Sequence, residues 1–205
     1  MKKIVAILAA TLFAVSISMP ASAADAFATK WGTFKAFTLS GFGDDVVQIP
    51  SALKAGFVTS THDGESNFVV WALDTSLEKA SLVVNTIGTD PDVRDFGLSY
   101  GAKRIKAFEV SADGNWSITV KPVSVAPSLP SSGFGAGVFK VTLKSKPIWQ
   151  TTHVGEDNFI IWQYCTSGST TLVANGIGNY KAKKVGTSGS CILTVQGDGK
   201  WTIKK

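Results

Sequence analysis

The chain is expected to be an all-β protein of two tandem β-sandwich repeats, jelly-roll-like in layout, behind a signal peptide. Three observations predict this. Thr61-His62-Asp63-Gly64-Glu65-Ser66-Asn67-Phe68-Val69-Val70-Trp71 recurs as Thr152-His153-Val154-Gly155-Glu156-Asp157-Asn158-Phe159-Ile160-Ile161-Trp162, the mark of an internal duplication. Short runs of Val, Ile, Phe, Thr and Trp alternate with Gly, Asp, Asn and Pro clusters at about 8–12-residue spacing, as in sandwiches and barrels. Helical periodicity is scarce outside the N-terminal apolar run.

That run follows a basic start, Met1-Lys2-Lys3, and ends near Pro20 and the small residues Ala21-Ser22-Ala23. It reads as a signal peptide over residues 1–23, cleaved after Ala23, and it is shorter than the roughly 20 apolar residues a membrane anchor needs. Removing Lys2 and Lys3 takes the net charge from +5 to +3, too mild an excess to argue for nucleic-acid binding. The expected product is secreted, extracellular and bacterial, without a membrane span. The duplication divides the remainder into repeat 1 (residues 24–121), a Pro-rich linker (residues 122–132, with Pro122, Pro127 and Pro130) and repeat 2 (residues 133–205).

The copies align in order. Ser40-Gly41-Phe42-Gly43 matches Ser132-Gly133-Phe134-Gly135, and Asn85-Thr86-Ile87-Gly88 matches Asn175-Gly176-Ile177-Gly178. Tyr100-Gly101-Ala102-Lys103-Arg104-Ile105 is set against Tyr180-Lys181-Ala182-Lys183-Lys184-Val185, with the length differences assigned to residues 89–99 and 186–190. Last, Ala112-Asp113-Gly114-Asn115-Trp116 matches Gly197-Asp198-Gly199-Lys200-Trp201. This segment is expected to form a hairpin with a three-residue loop and Gly114 as a left-handed bulge. That register gathers Phe108, Val110, Trp116 and Ile118 on one face, and Leu193, Val195, Trp201 and Ile203 likewise. The tryptophans are then core residues rather than sugar platforms.

Cys165 and Cys191 are the only cysteines, and in an exported chain they are expected to form a disulfide. Repeat 1 has Asp74 and Lys106 at the aligned positions, a candidate ion pair.

Three features carry functional chemistry. His62 and His153, the only histidines, each precede a glutamate by three residues, Glu65 and Glu156. Such a pair is half a metal site or an acid–base couple, but a catalytic zinc takes three protein ligands and none is left to complete the set. The competing role is structural, with the imidazole bonded to turn backbone, Gly64 at positive φ and Asn67 closing the turn. The second feature is the basic segment with a tyrosine: Tyr100, Lys103 and Arg104 in repeat 1, Tyr180, Lys183 and Lys184 in repeat 2. Two such patches could grip an anionic polymer with avidity, or simply protect an edge strand from pairing. The third, Asp44-Asp45, offers carboxylates for Ca²⁺, but repeat 2 has Ala136-Gly137 there.

The running pattern Gly-x-Gly-Asp-Asp-Val-Val, Thr-His-x-Gly-x-x-Asn-Phe-Val-Val-Trp, Asn-x-Ile-Gly and Ala-Asp-Gly-x-Trp-x-Ile resembles repeated β-sandwich modules in exported proteins of Gram-positive bacteria. The resemblance implies fold and export, and carries over no catalytic residue. The chain has no His-Glu-x-x-His motif and no phosphate-binding glycine loop. The expected function is therefore a secreted, non-catalytic binding or cell-surface module contacting cell-wall polymer or another anionic glycan, with no cofactor and no metal. The alternative is a small extracellular hydrolase or metal-dependent enzyme using the two His-x-Gly-Glu turns.

Overall fold

The computed structural model describes residues 25–88 and 92–205; the expected signal peptide, residues 1–23, lies outside them. Repeat 1 forms β1 (Phe37–Phe42), β2 (Asp45–Leu53), β3 (Gly56–His62), β4 (Asn67–Asp74), β5 (Lys79–Ile87), β6 (Asp92–Phe96), β7 (Ile105–Ser111) and β8 (Asn115–Lys121). These build two antiparallel sheets ordered β1-β8-β3-β6 and β2-β7-β4-β5. Repeat 2 forms β9 (Ser132–Phe134), β10 (Gly137–Leu143), β11 (Ile148–Val154), β12 (Asn158–Cys165), β13 (Thr170–Ile177), β14 (Tyr180–Val185), β15 (Gly189–Gln196) and β16 (Lys200–Lys204). Its sheets run β14-β11-β16-β9 and β10-β15-β12-β13. Strand for strand the order is the same, and two facing four-stranded sheets interleaved in this way are a jelly roll.

Alternation along the strands makes the core. In β8, Trp116, Ile118 and Val120 are buried while Ser117 and Thr119 face outward, as a period of two requires. Phe68, Phe96, Phe108, Ile118 and Trp116 fill repeat 1; Trp149, Phe159, Leu193 and Trp201 fill repeat 2. The equivalent Trp116 and Trp201 each donate the indole N–H to a glycine carbonyl, Gly43 and Gly135 respectively, both at 2.9 Å. Those two glycines sit at φ 68°, where an L side chain would be strained.

The hairpin is not formed. β7 and β8 lie in opposite sheets, so Ala112-Asp113-Gly114 arches over the sandwich edge and Gly114 does not take a positive φ. The core face is nonetheless as expected, because the arch delivers Val110 and Trp116 to the same interior from two sides. Cys165 and Cys191 are directly opposed on β12 and β15 and are bonded, S–S 2.05 Å. In repeat 1 a register shift after Leu73 sets Asp74 opposite Ile105 instead of Lys106. The expected Asp74–Lys106 pair is therefore absent: Asp74 holds Lys103 at 2.5 Å, and Lys106 donates to the Ile49 carbonyl at 3.3 Å.

The alignment of Tyr100 with Tyr180 is also corrected. β3 pairs with β6 through Ser60↔Asp92 and Thr59↔Val93, and β11 with β14 through Thr151↔Ala182 and Gln150↔Lys183. Strand Asp92–Phe96 is thus the counterpart of Tyr180–Val185, and Tyr100, Lys103 and Arg104 belong to an extra loop after it.

A third apolar cluster joins the repeats. The short helix α1 (Ala26–Trp31), capped by the Asp25 carboxylate on the Phe27 amide at 2.9 Å, contributes Phe27 and Trp31. Val123 and Ala126, from within the Pro-rich segment, pack with them against Phe57 and Leu98 of repeat 1 and Val138 and Ile192 of repeat 2. Pro127 and Leu129 bond through their backbones to Lys140, at 2.7 and 2.9 Å. The segment is docked along its length and does not act as a free tether.

Asp95 sits beside this junction. Burial pushes its carboxyl up to about 6, against the opposing pull of Arg94. An acid whose folded-state value is raised holds its proton more tightly when folded, so stability is full below the ordinary carboxylate range and falls as pH rises through about 4 to 6. Asp95→Asn is expected to stabilise the protein by about 1–3 kcal/mol at pH 8 and by little at pH 4, read from urea midpoints at the two pH values. Equal effects at both would show that charge burial is not the cause.

Candidate functional site

The four loops at one end of each sandwich converge, and the repeated motif lies there. In repeat 1, His62 at the end of β3 is buried and stacks on Phe68, centroids 4.9 Å apart. Its Nδ1 is 3.1 Å from the Gly88 carbonyl after β5, and its Nε2 lies 3.1 Å from Asp113 Oδ1 in the β7–β8 arch. Repeat 2 repeats the arrangement: His153 stacks on Phe159 at 4.5 Å, Nδ1 is 2.8 Å from the Gly178 carbonyl and Nε2 3.3 Å from Asp198 Oδ1. In both repeats Nε2 is buried beside the carboxylate without making a hydrogen bond to it.

The carboxylates hold more than the histidines. Asp113 accepts the Glu65 and Ser66 amides at 3.0 and 2.9 Å, and Asp198 accepts the Glu156 amide at 2.7 Å. Asp198 is held below the usual carboxylate range, chiefly by that amide. For Asp113 burial alone would raise the carboxyl, but the Ser66 and Glu65 amides outweigh it and the net direction is down. Both aspartates thus stabilise the folded loops above the ordinary carboxylate range, and that contribution fades as pH falls below it.

Glycine at the third motif position follows from this crowding. A Cβ on Gly64 would strike the Asp113 carboxylate and come within 2.6 Å of His62 Cε1; on Gly155 it would meet Asp198 and lie 2.5 Å from His153 Cε1. Neither glycine has a positive φ, so close approach and not turn conformation requires them. Glu65 and Glu156 contribute their backbone amides, and their side chains are exposed. The histidine partners are the Asp-Gly aspartates, distant in sequence; their recurrence in both copies was the signal available for finding them.

With both His side chains at 0% exposure, this end is a staple joining three loops. The fourth is tied by Asp44, whose Oδ1 accepts the Ala112 amide and the Ser111 hydroxyl, each at 2.9 Å. Among the described residues, no three His, Cys, Asp or Glu side chains gather as a metal site. A cavity of about 230 Å³ lies between the repeats, lined by Trp31, Lys54, Tyr100 and Tyr164 among others, with no carboxylate or imidazole on its wall.

The basic residues differ between the copies. Tyr100 is 94% exposed on its loop, Lys103 is held by Asp74, and Arg104 donates to the Ala52 carbonyl at 3.3 Å. Tyr180 packs on Phe159 at 5.8 Å and is half-buried. Lys183 and Lys184 follow it on the edge strand β14, exposed and in no ion pair among the described residues. The same loop end also exposes Phe42 and Ile87 in repeat 1 and Phe134 and Ile177 in repeat 2, all above 70%, apolar positions that the sequence pattern alone did not separate from core.

No helix among the described residues is long and apolar enough to cross a membrane. No family profile and no curated protein matches the chain. Among solved structures it is similar to the guanosine-bound regulatory subunit of a cAMP-independent protein kinase A from Trypanosoma cruzi, with 8% identity over 79% of this chain and 72% of that one, at a TM-score of 0.24. It is similar also to the cAMP-bound regulatory domain of Toxoplasma gondii PKA, with 10% identity over 79% and 78% at 0.23. Scores this low carry no argument about what this chain binds.

Proposed function

We propose that the protein is an exported, non-catalytic binding module for an anionic glycan such as a phosphate-bearing cell-wall polymer. The observation that carries this reading is the exposed pair Lys181 and Lys183 on an edge strand of repeat 2, in no ion pair among the described residues. The setting supports it. Residues 133–205 hold nine lysines against three carboxylates, a net of +6, whereas residues 24–132 hold nine cations against twelve carboxylates, a net of −3. A charge so divided favours steering of a polyanion to one half of the molecule. The histidines lend no weight to a hydrolase, since both imidazoles are enclosed and occupied with backbone.

The test is retention of residues 24–205 on purified wall material, with and without its anionic polymer, across a salt series. Retention that requires the polymer and falls with rising salt is expected, because exposed charges are screened within about 10 Å at 0.1 M. Absence of polymer-dependent retention would sink the proposal.

A further inference from the structure

The outer face of the β14-β11-β16-β9 sheet is a composed surface. Residues paired directly across antiparallel strands share a face, and the registers Gln150↔Lys183, Gln150↔Lys204, Thr152↔Lys181, Thr152↔Thr202 and Val154↔Lys200 put all of these on the side opposite the core residues Trp149, Thr151 and His153. Four lysines, Lys181, Lys183, Lys200 and Lys204, therefore surround a neutral row of Gln150, Thr152 and Thr202, and Phe134 pairs with Lys200 at one end. All four lysines and Phe134 are exposed, and none of the four lysines makes an ion pair or a hydrogen bond among the described residues. The three carboxylates of this repeat, Glu156, Asp157 and Asp198, lie in the end loops and not on this face.

The same strands in repeat 1 present Thr38, Ser40, Ser117, Thr119, Thr59 and Thr61, with no lysine until Lys121. That sheet also meets the junction, where Phe57 is buried beside Val138 and Ile192 from the other sheet of repeat 2. Only the repeat 2 face is both basic and turned away from the junction.

We infer that this face is the contact surface for a linear anionic polysaccharide, and that repeat 1 does not share in it. The inference rests on the proposed function and narrows it to one sheet of one repeat. Charge complementarity selects a polyanion. The amide and hydroxyls between the lysines suit sugar hydroxyls, and the exposed Phe134 ring offers an apolar surface for a sugar's C–H face. A single-stranded nucleic acid would call for a series of aromatic stacking platforms, and this face has one aromatic.

Lys184 supplies an internal control. It pairs with Trp149 on the other side of the same strand, so it carries equal charge at nearly the same place but off the face. The experiment measures binding of residues 24–205 to immobilised heparin, a linear sulfated glycan, at about 0.1 M salt. Two variants with the same charge change are compared: Lys183→Gln/Lys200→Gln/Lys204→Gln, and Lys144→Gln/Lys146→Gln/Lys184→Gln. The first is expected to weaken binding by about tenfold or more and to flatten its salt dependence; the second, by no more than about threefold. Phe134→Ala, at unchanged charge, is expected to weaken binding as well. Equal losses in the two triple variants, or a larger loss in the second, would overturn the face while leaving the proposed function standing. Tighter binding to duplex DNA or to anionic lipid vesicles than to heparin at matched ionic strength would overturn the glycan assignment. If the unaltered protein binds neither heparin nor wall polymer, it is the proposed function that fails.

Discussion

His153→Ala is expected to destabilise repeat 2 by about 3–4 kcal/mol and to leave polyanion retention unchanged wherever the protein remains folded. The imidazole is fully enclosed, stacked on Phe159 and bonded to the Gly178 carbonyl. Truncation leaves a cavity against an aromatic ring, a buried carbonyl without its donor and a carboxylate without its neighbouring imidazole. Cavity formation at such sites costs about 2–5 kcal/mol and an orphaned buried polar group about 1–3, with overlap between the two. A urea series with tryptophan fluorescence, paired with a retention assay below the midpoint, separates the outcomes. Lost retention in a protein that is still fully folded would restore the histidine to a ligand-binding role.

Loss of the Cys165–Cys191 bridge is the second large effect. The bond spans 26 residues, and loop closure in the unfolded chain over that length corresponds to about 3.5 kcal/mol. Cys165→Ala/Cys191→Ala is therefore expected to lower the protection of β12 and β15 amides against hydrogen exchange, while β4 and β7 in repeat 1 keep theirs. The neighbouring Ile192 packs in the cluster between repeats, so the junction is expected to open before the core of repeat 1. Unchanged exchange in β15 would show that sheet pairing alone sustains repeat 2.

What could be read from the sequence was set by local pattern and by repetition. The period-two spacing of Phe108 with Val110 and of Trp116 with Ile118 identified core residues, and the doubling of the His-x-Gly motif identified two modules, because both signals lie within single segments. The β7–β8 arch was misread because Ala112-Asp113-Gly114 has the turn chemistry of a hairpin, and turn chemistry does not say whether the next strand joins the same sheet or the opposite one. Asp113 as the partner of His62 was hidden for a related reason. Glu65 is three residues away and Asp113 is fifty-one, and only the folded arch reverses that order of nearness. The slip of one residue at Asp74 was equally invisible, since it depends on how β4 and β7 accommodate an irregularity in pairing. The four-lysine face needed pair registers across three strands, and Lys200 and Lys204 carry no local mark that sets them apart from other surface lysines.

The docked Pro-rich segment changes what duplication means in this molecule. Two beads on a loose string could each reach for their own stretch of polymer and multiply one another's grip. Val123 and Ala126, wedged among Phe27, Trp31, Phe57 and Ile192, instead make the pair a bracket with a set angle. A surface that holds the lysine-bearing plate of one half also dictates which way the acidic half faces, so the first repeat is displayed in a fixed pose whenever the second is attached.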